Sequence, residues 1–178
     1  STSYSSTAMG EATTASGDKS TAMGYNTTAS AQYAVSMGNG TNASGNGSTA
    51  MGWATAASGT VSTASGESTT ASGVQSTSMG YGTTASGIRS TAMGSSTTAS
   101  DYASVVIGQY NSAGSTVTNS ATAFNTANTA FVIGNGTASN ARSDAFKVMF
   151  NGDATVGNDL TVSGDVVVSS DARLKSNI

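Results

Sequence analysis

The sequence predicts an all-β protein wound as a parallel solenoid of fourteen-residue coils, and three observations lead there. Small residues, nearly all glycine, fall every seven positions: Gly10, Gly17, Gly24, Ala31, Gly38, Gly45, Gly52, Gly59, Gly66, Gly73, Gly80, Gly87, Gly94, Asp101 and Gly108. Two kinds of half-repeat alternate on that spacing, "STAMG" at Ser6–Gly10 and "TTASG" at Thr13–Gly17, so the true unit is fourteen. The composition is lean: of 178 residues only 37% are hydrophobic and 8% charged, with 22 Gly and no Pro, Cys or His. That is too little apolar surface for an ordinary globular core and too little charge for a solvated disordered chain, whereas a repeating fold accommodates both.

A seven-residue period also suggests a coiled coil, but a coiled coil needs apolar a and d positions. Here one column in seven is glycine, which costs about 1 kcal/mol per helical site. Short strands of four or five residues punctuated by glycine turns suit STAM and TTAS better, giving two strands and two turns per coil. Strand alternation then assigns faces. The second residue before each small position is Ala8, Ala15, Ala22, Ala29, Ser36, Ala43, Ala50, Ala57, Ala64, Ala71, Ser78, Ala85, Ala92 and Ala99. This column is expected inside a very thin coil, where little more than a methyl group fits. The opposite face carries Met9, Met23, Met37, Met51, Met79, Met93 and Ile107 beside Thr7, Thr21, Val35, Thr49, Thr63, Thr77, Thr91 and Val105. In the other half-repeat the outward face is Thr and Ser.

Coils stack about 4.8 Å apart, so the methionines form a long outer ladder. Two readings of it are open: methionine fills each coil's own core, or the ladder is an interface. The interface is expected, because an alanine-lined coil buries too little apolar surface, at about 25 cal/mol per Å2, to offset chain ordering alone. Self-association follows.

From Gln109 to Ser169 the period is lost. Strands are expected at Ala130 to Gly134, Ala145 to Phe150, Ala154 to Val156, Leu160 to Val162 and Val166 to Ser169, separated by Asn-Gly and Gly-Asp turns. Phe124, Phe131, Phe146, Val148 and Phe150 are expected to form a better core than the roll possesses and to lock the assembly. The division is thus a roll over residues 1–110, a β-rich connector over 111–169, and a separate C-terminal piece over 170–178.

The residue after each Met-Gly step runs Glu11, Tyr25, Asn39, Trp53, Glu67, Tyr81, Ser95, Gln109, placing aromatics on alternate coils. Tyr25, Trp53 and Tyr81 are therefore candidate receptor contacts, able to stack on sugar rings or grip a protein, with packing at a subunit edge as the other reading. Asp153, Asp159 and Asp165 lie around "GNDLTVSGD", which has the look of one calcium-binding nonapeptide, yet turn chemistry accounts for a single copy and no metal site or cofactor is expected. No His or Cys, dispersed carboxylates and no phosphate loop leave nothing from which to build a conventional active site. Net charge −3 with six scattered basic residues argues against nucleic acid, and no apolar run is long enough to insert in a membrane.

"STAMG", "VSMG" and "SVVIG" at Ser104–Gly108 resemble the YadA-like head repeats of trimeric autotransporter adhesins, over about residues 4 to 110. The resemblance implies a left-handed parallel β-roll in a homotrimer, with Met9, Met23, Met37, Met51, Met79, Met93 and Ile107 at the trimer interface. Thr and Met stand here where the family has Val and Ile. "SSDARLKSNI", Ser169–Ile178, resembles the start of the endosialidase-type intramolecular chaperone of phage tail fibres. That family cuts itself between the Ser and Asp of the motif, which implies cleavage between Ser170 and Asp171 with Lys175 assisting, a base beside a weak hydroxyl nucleophile. Most of such a chaperone is absent, which suggests a cut-short chain or an uncleaved product, and the non-initiator Ser1 suggests an upstream region. Residues 111–169 look like the trimeric neck and connector that precede such chaperones.

The expected function is a structural and adhesive segment of a trimeric extracellular fibre. A phage tail fibre on the virion leads, attaching to a host-surface carbohydrate or protein; a bacterial surface adhesin is the alternative. A third reading is an ice-binding solenoid, whose lattice would be Thr14, Thr28, Thr70, Thr84 and Thr98 ranked with Ser16, Ser30, Ser72, Ser86 and Ser100, interrupted by Asn42 and Ala56.

Overall fold

A computed structural model describes residues 5–112 and 120–163. Each coil contributes one long and one short strand. The first holds β1 (Thr7–Glu11) and β2 (Thr14–Ala15), followed by β3 (Thr21–Tyr25) and β4 (Thr28–Ala29), then β5 (Val35–Asn39) and β6 (Asn42–Ala43). Next come β7 (Thr49–Trp53) and β8 (Ala56–Ala57), β9 (Thr63–Glu67) and β10 (Thr70–Ala71), β11 (Thr77–Tyr81) and β12 (Thr84–Ala85), β13 (Thr91–Ser95) and β14 (Thr98–Ala99), and finally β15 (Val105–Gln109). Long strands stack on long and short on short, all parallel and shifted by one repeat, so that Thr21, Met23 and Gly24 pair with Val35, Met37 and Gly38. The all-β solenoid with fourteen residues per coil is therefore present, and the described residues contain no helix.

The interior is as thin as expected. Ala22, Ala29, Ala43, Ala50, Ala57, Ala64, Ala71, Ala85, Ala92 and Ala99 are fully buried. A second inward column, Ser20, Thr27, Thr41, Ser48, Thr55, Ser62, Thr69, Ser76, Thr83, Ser90 and Thr97, is also buried. The two serines in the alanine column have a physical reason: Ser36 and Ser78 share hydrogen bonds of 2.7 Å with the hydroxyls of Thr41 and Thr83. Where alanine stands instead, as at Ala22, Ala50 and Ala64, the hydroxyls of Thr27, Thr55 and Thr69 find no partner.

The glycines require a correction. The Met-Gly column does not form turns; it lies inside the long strands with φ between +115 and +126 from Gly10 to Gly94. The chain turns two residues later, at left-handed residues such as Asn26, Ala54, Ser68 and Ser96 (φ 51 to 54), and at Lys19, Tyr33, Val61, Gln75 and Arg89 in the other half. From Asn26 onward each of these turn residues donates its N–H to a carbonyl of the preceding coil, Ala54 to Asn39 and Val61 to Asn46, both at 2.8 Å. Those bonds help offset the cost of a non-glycine residue at positive φ. The expected strand lengths also change: the Met half gives five residues, the other half only two.

Loss of the period after Gly108 does not end the sheet. After Asn128 the chain returns as β16 (Thr129–Asn135), parallel to β15 and in register with it, Phe131 over Val105, Ile133 over Ile107, Gly134 over Gly108. Polar side chains make that return possible. Asp101, which with Ala31 is one of two non-glycines in the column begun by Gly17, accepts the Thr129 N–H at 2.7 Å. Asn111 is buried and caps the short sheet: Thr98 donates its N–H to the Asn111 Oδ1 at 2.8 Å, and Asn111 Nδ2 donates to the Thr98 carbonyl at 3.1 Å, so one amide imitates a further rung. Then β17 (Asp144–Met149) and β18 (Ala154–Val156) fold back antiparallel, covering the parallel edge of β16 that would otherwise be open.

Strands are thus found within a residue of the expected Ala130 to Gly134, Ala145 to Phe150 and Ala154 to Val156, while Leu160 to Val162 is not a strand and Val166 to Ser169 lies outside the described residues. The expected aromatic core is not closed within one chain. Phe131 meets Phe146 edge-on at 6.3 Å and Phe124 meets Phe150 at 5.2 Å, but Phe124 is 59% exposed and Phe131, Phe146, Val148 and Phe150 are only half-buried. The fully buried large apolar side chains in this region are Val106 and Val132, which sit in the alanine column of the last two rungs.

Candidate functional site

The strand geometry puts methionine outside the coil. Met23, Met37, Met51, Met93 and Ile107 are half-buried, covered only by the rungs above and below, while Met79 and Met9 are exposed at 38% and 59%. None belongs to the buried interior, so the coil does not need them to fill it. The column pairs residue on residue, Met9 with Met23 and Met37 with Met51. Ser65 breaks it between Met51 and Met79, a gap legible in "STASG" at Ser62–Gly66. Toward the C-terminus the first of the two outer columns grows larger and more apolar, from Thr91 through Val105 to Phe131, while the second stays aliphatic, from Met93 through Ile107 to Ile133. The outer face of the long sheet is therefore a strip of thioether and aliphatic carbon, interrupted at Ser65 and ending in an aromatic cluster.

Tyr25, Trp53 and Tyr81 end their long strands at the corner where the chain turns toward the short sheet, and all three are about half exposed. They share one register column with Asn39 and Glu67 between them. At the opposite corner Lys19 lies over the Tyr33 ring at 5.2 Å and Arg89 over the Tyr102 ring at 5.4 Å, with Arg89 Nε donating to Gln75, and at the C-terminal end of the near corner Arg142 lies over the Tyr110 ring at 5.7 Å. Tyr33 and Tyr102 escaped the sequence reading, because they stand at non-equivalent places in the repeat.

The hydroxyl wall is present on the short strands, yet its Ser rank stops early, since Ser100 is buried. Asp153 sits in a turn closed by Asn151, whose Nδ2 donates to the carboxylate at 2.7 Å and whose Oδ1 accepts the Asp153 N–H. No group of acidic residues able to hold a metal occurs among the described residues, and no helix there could cross a membrane. Ser170, Asp171 and Lys175 lie outside the described residues, as does Asp165.

No curated protein matches the chain. The family model for the YadA head domain repeat, written as two copies, matches at residues 1–27, 29–55, 57–83 and 85–111, two coils to a match and together more than half of the chain. The alanine-lined coil, the outer apolar ladder and these four matches place it: the chain belongs to the YadA head family, β-rolls of adhesin-like fibres displayed outside the cell.

Proposed function

We propose that this chain is the structural and adhesive segment of a homotrimeric extracellular fibre, and specifically of a phage tail fibre that attaches to a host. The observation that carries the trimer is the outer position of Met23, Met37, Met51 and Met93 around an interior already filled by alanine. An apolar strip so long on a soluble surface marks a contact between chains, and the lean coil needs that contact to remain folded. The larger side chains of Phe131, Ile133, Phe146 and Val148 extend the same contact at the C-terminal end, where three copies close the cluster that one copy leaves half open.

Ser65 supplies a gain-of-stability test. Ser65→Met fills the gap in the ladder and is expected to stabilise the assembly by about 1.5 to 3 kcal/mol per chain, the value of burying one such side chain, read as a rise in Tm. An unchanged Tm contradicts a methionine contact between chains.

The phage assignment is supported by the resemblance of Ser169–Ile178 to the endosialidase-type chaperone, with Ser170 as nucleophile, Lys175 as its base and Ser170-Asp171 as the bond cut. The alternative, a bacterial trimeric surface adhesin, is supported by the family match itself. The two differ in a measurable mass. In the chain expressed with its native downstream sequence, the phage reading predicts a product ending at Ser170 and its loss in Lys175→Ala, whereas an uncut chain contradicts it.

A further inference from the structure

We propose that the corner column Tyr25, Asn39, Trp53, Glu67, Tyr81 binds an extended, uncharged β-1,4-linked polysaccharide, laid along the fibre axis with one sugar ring per coil. This rests on the reading of the chain as an adhesive segment and names the chemistry of what it adheres to.

The five residues occupy successive rungs in strict register. Rungs repeat about every 4.8 Å, so the aromatic rings stand about 9 to 10 Å apart on alternate rungs. A β-1,4-linked chain is a flat ribbon whose successive rings are related by nearly half a turn, and its advance per ring is close to the rung spacing. Every second ring therefore presents the same face on the same side, which is the arrangement of these three aromatics. Tyr25, Trp53 and Tyr81 are 51%, 52% and 53% exposed, enough to offer a ring face for stacking. On the rungs between them stand an amide and a carboxylate, suited to the hydroxyls of the intervening rings. The side chains of Asn39 and Glu67 are exposed and make no hydrogen bond within the described chain.

Charge selects the type of glycan. The column contains Glu11 and Glu67 and no cation, in a chain of net charge −3; Arg142 reaches this corner beyond Tyr81 but is engaged there by the Tyr110 ring and the carbonyls of Ser96 and Asn111, while Lys19 and Arg89 are held by tyrosines on the opposite corner. A polyanion is repelled from this edge; a neutral glycan is not. An α-1,4-linked chain curls and leaves the register after two rungs.

Trp53 is the only tryptophan, so its fluorescence reports on this column alone. With the full chain, chitohexaose or cellohexaose is expected to shift that emission saturably, with affinity rising from the trisaccharide to the hexasaccharide, and maltohexaose is expected to leave it unmoved. Tyr25→Ala combined with Tyr81→Ala keeps the reporter and is expected to weaken binding about tenfold or more without changing the assembled mass. The proposal is overturned by the absence of a shift with both β-1,4 hexasaccharides, by an equal response to maltohexaose, or by loss of assembled mass in the tyrosine variant, which would make these rings subunit contacts. A shift seen on a monomeric wild-type chain supports the glycan site and counts against the trimer alone.

Discussion

Gly52→Ala is expected to unfold the middle of the roll. A Cβ at this position would lie 2.0 Å from the carbonyl oxygen of Gly66 and 3.0 Å from its carbon, both backbone atoms of the next rung. Neither can step aside without breaking the parallel ladder, and φ is +118, a conformation only glycine adopts readily. The combined cost is about 3 to 5 kcal/mol, at the upper end of single substitutions. Gly40→Ala is the mild counterpart: its φ, +64, lies in the left-handed region that Asn26, Ala54 and Ser68 adopt at the same place in other coils, and the nearest atom to an added Cβ is 3.9 Å away. Its expected cost is about 1 kcal/mol or less. Thermal melts followed by circular dichroism compare the two; equal losses would refute the role assigned to the Gly-on-Gly contact.

The second large effect concerns the outer ladder. Met37→Asp combined with Met51→Asp places two carboxylates on adjacent rungs of one strip, Met37 and Met51 being register partners. Each substitution removes about 1.5 to 3 kcal/mol of apolar burial per chain and adds an ionised group that has no partner in a closed contact. The assembly is expected to dissociate at micromolar concentration, and the separated coils, with little more than alanine inside, are expected to lose their β-structure. Placing the same charges on the short sheet, as Thr28→Asp and Thr70→Asp, is expected to leave mass and spectrum unchanged, because those half-buried positions belong to the other sheet and not to the methionine strip. Dissociation by both pairs would show general charge repulsion rather than a specific contact.

Much of this architecture is written in the columns. Strand alternation about Ala22, Ala50 and Ala64 suffices to place alanine inside and methionine outside, because in a coil this thin only a small side chain fits and every repeat votes the same way. The two glycine columns are harder to tell apart, since both look like turns in a linear reading. Their difference shows only in the exceptions: Ala31 and Asp101 occur in one column and nothing but glycine in the other, where φ is positive, although glycines of both columns lie against the backbone of the next rung. The return of β16 was signalled by "FVIG" at Phe131–Gly134 echoing "VVIG" at Val105–Gly108, but the echo is off the fourteen-residue spacing and depends on an excursion held by Asp101 and Asn128. Likewise nothing in the order of residues tells that Asn111 would spend its amide imitating a strand. Such roles arise from where the chain happens to end a sheet, and a periodic pattern carries no information about its own termination.

The aromatic column was legible as a list of residues and not as a site. Its register with Asn39 and Glu67 follows once the coils stack, and that register turns three scattered aromatics into a ruler with rungs close to the length of a sugar ring.

The central claim, that the methionine ladder lies between chains, is tested most directly by the mass of the intact chain in solution, measured by light scattering across a hundredfold dilution from micromolar concentration. The account predicts three chain masses for the wild type and one for the Met37→Asp, Met51→Asp pair. A wild-type chain of single mass that keeps its β-spectrum would contradict it, because the ladder would then be exposed to water on a coil stable by itself.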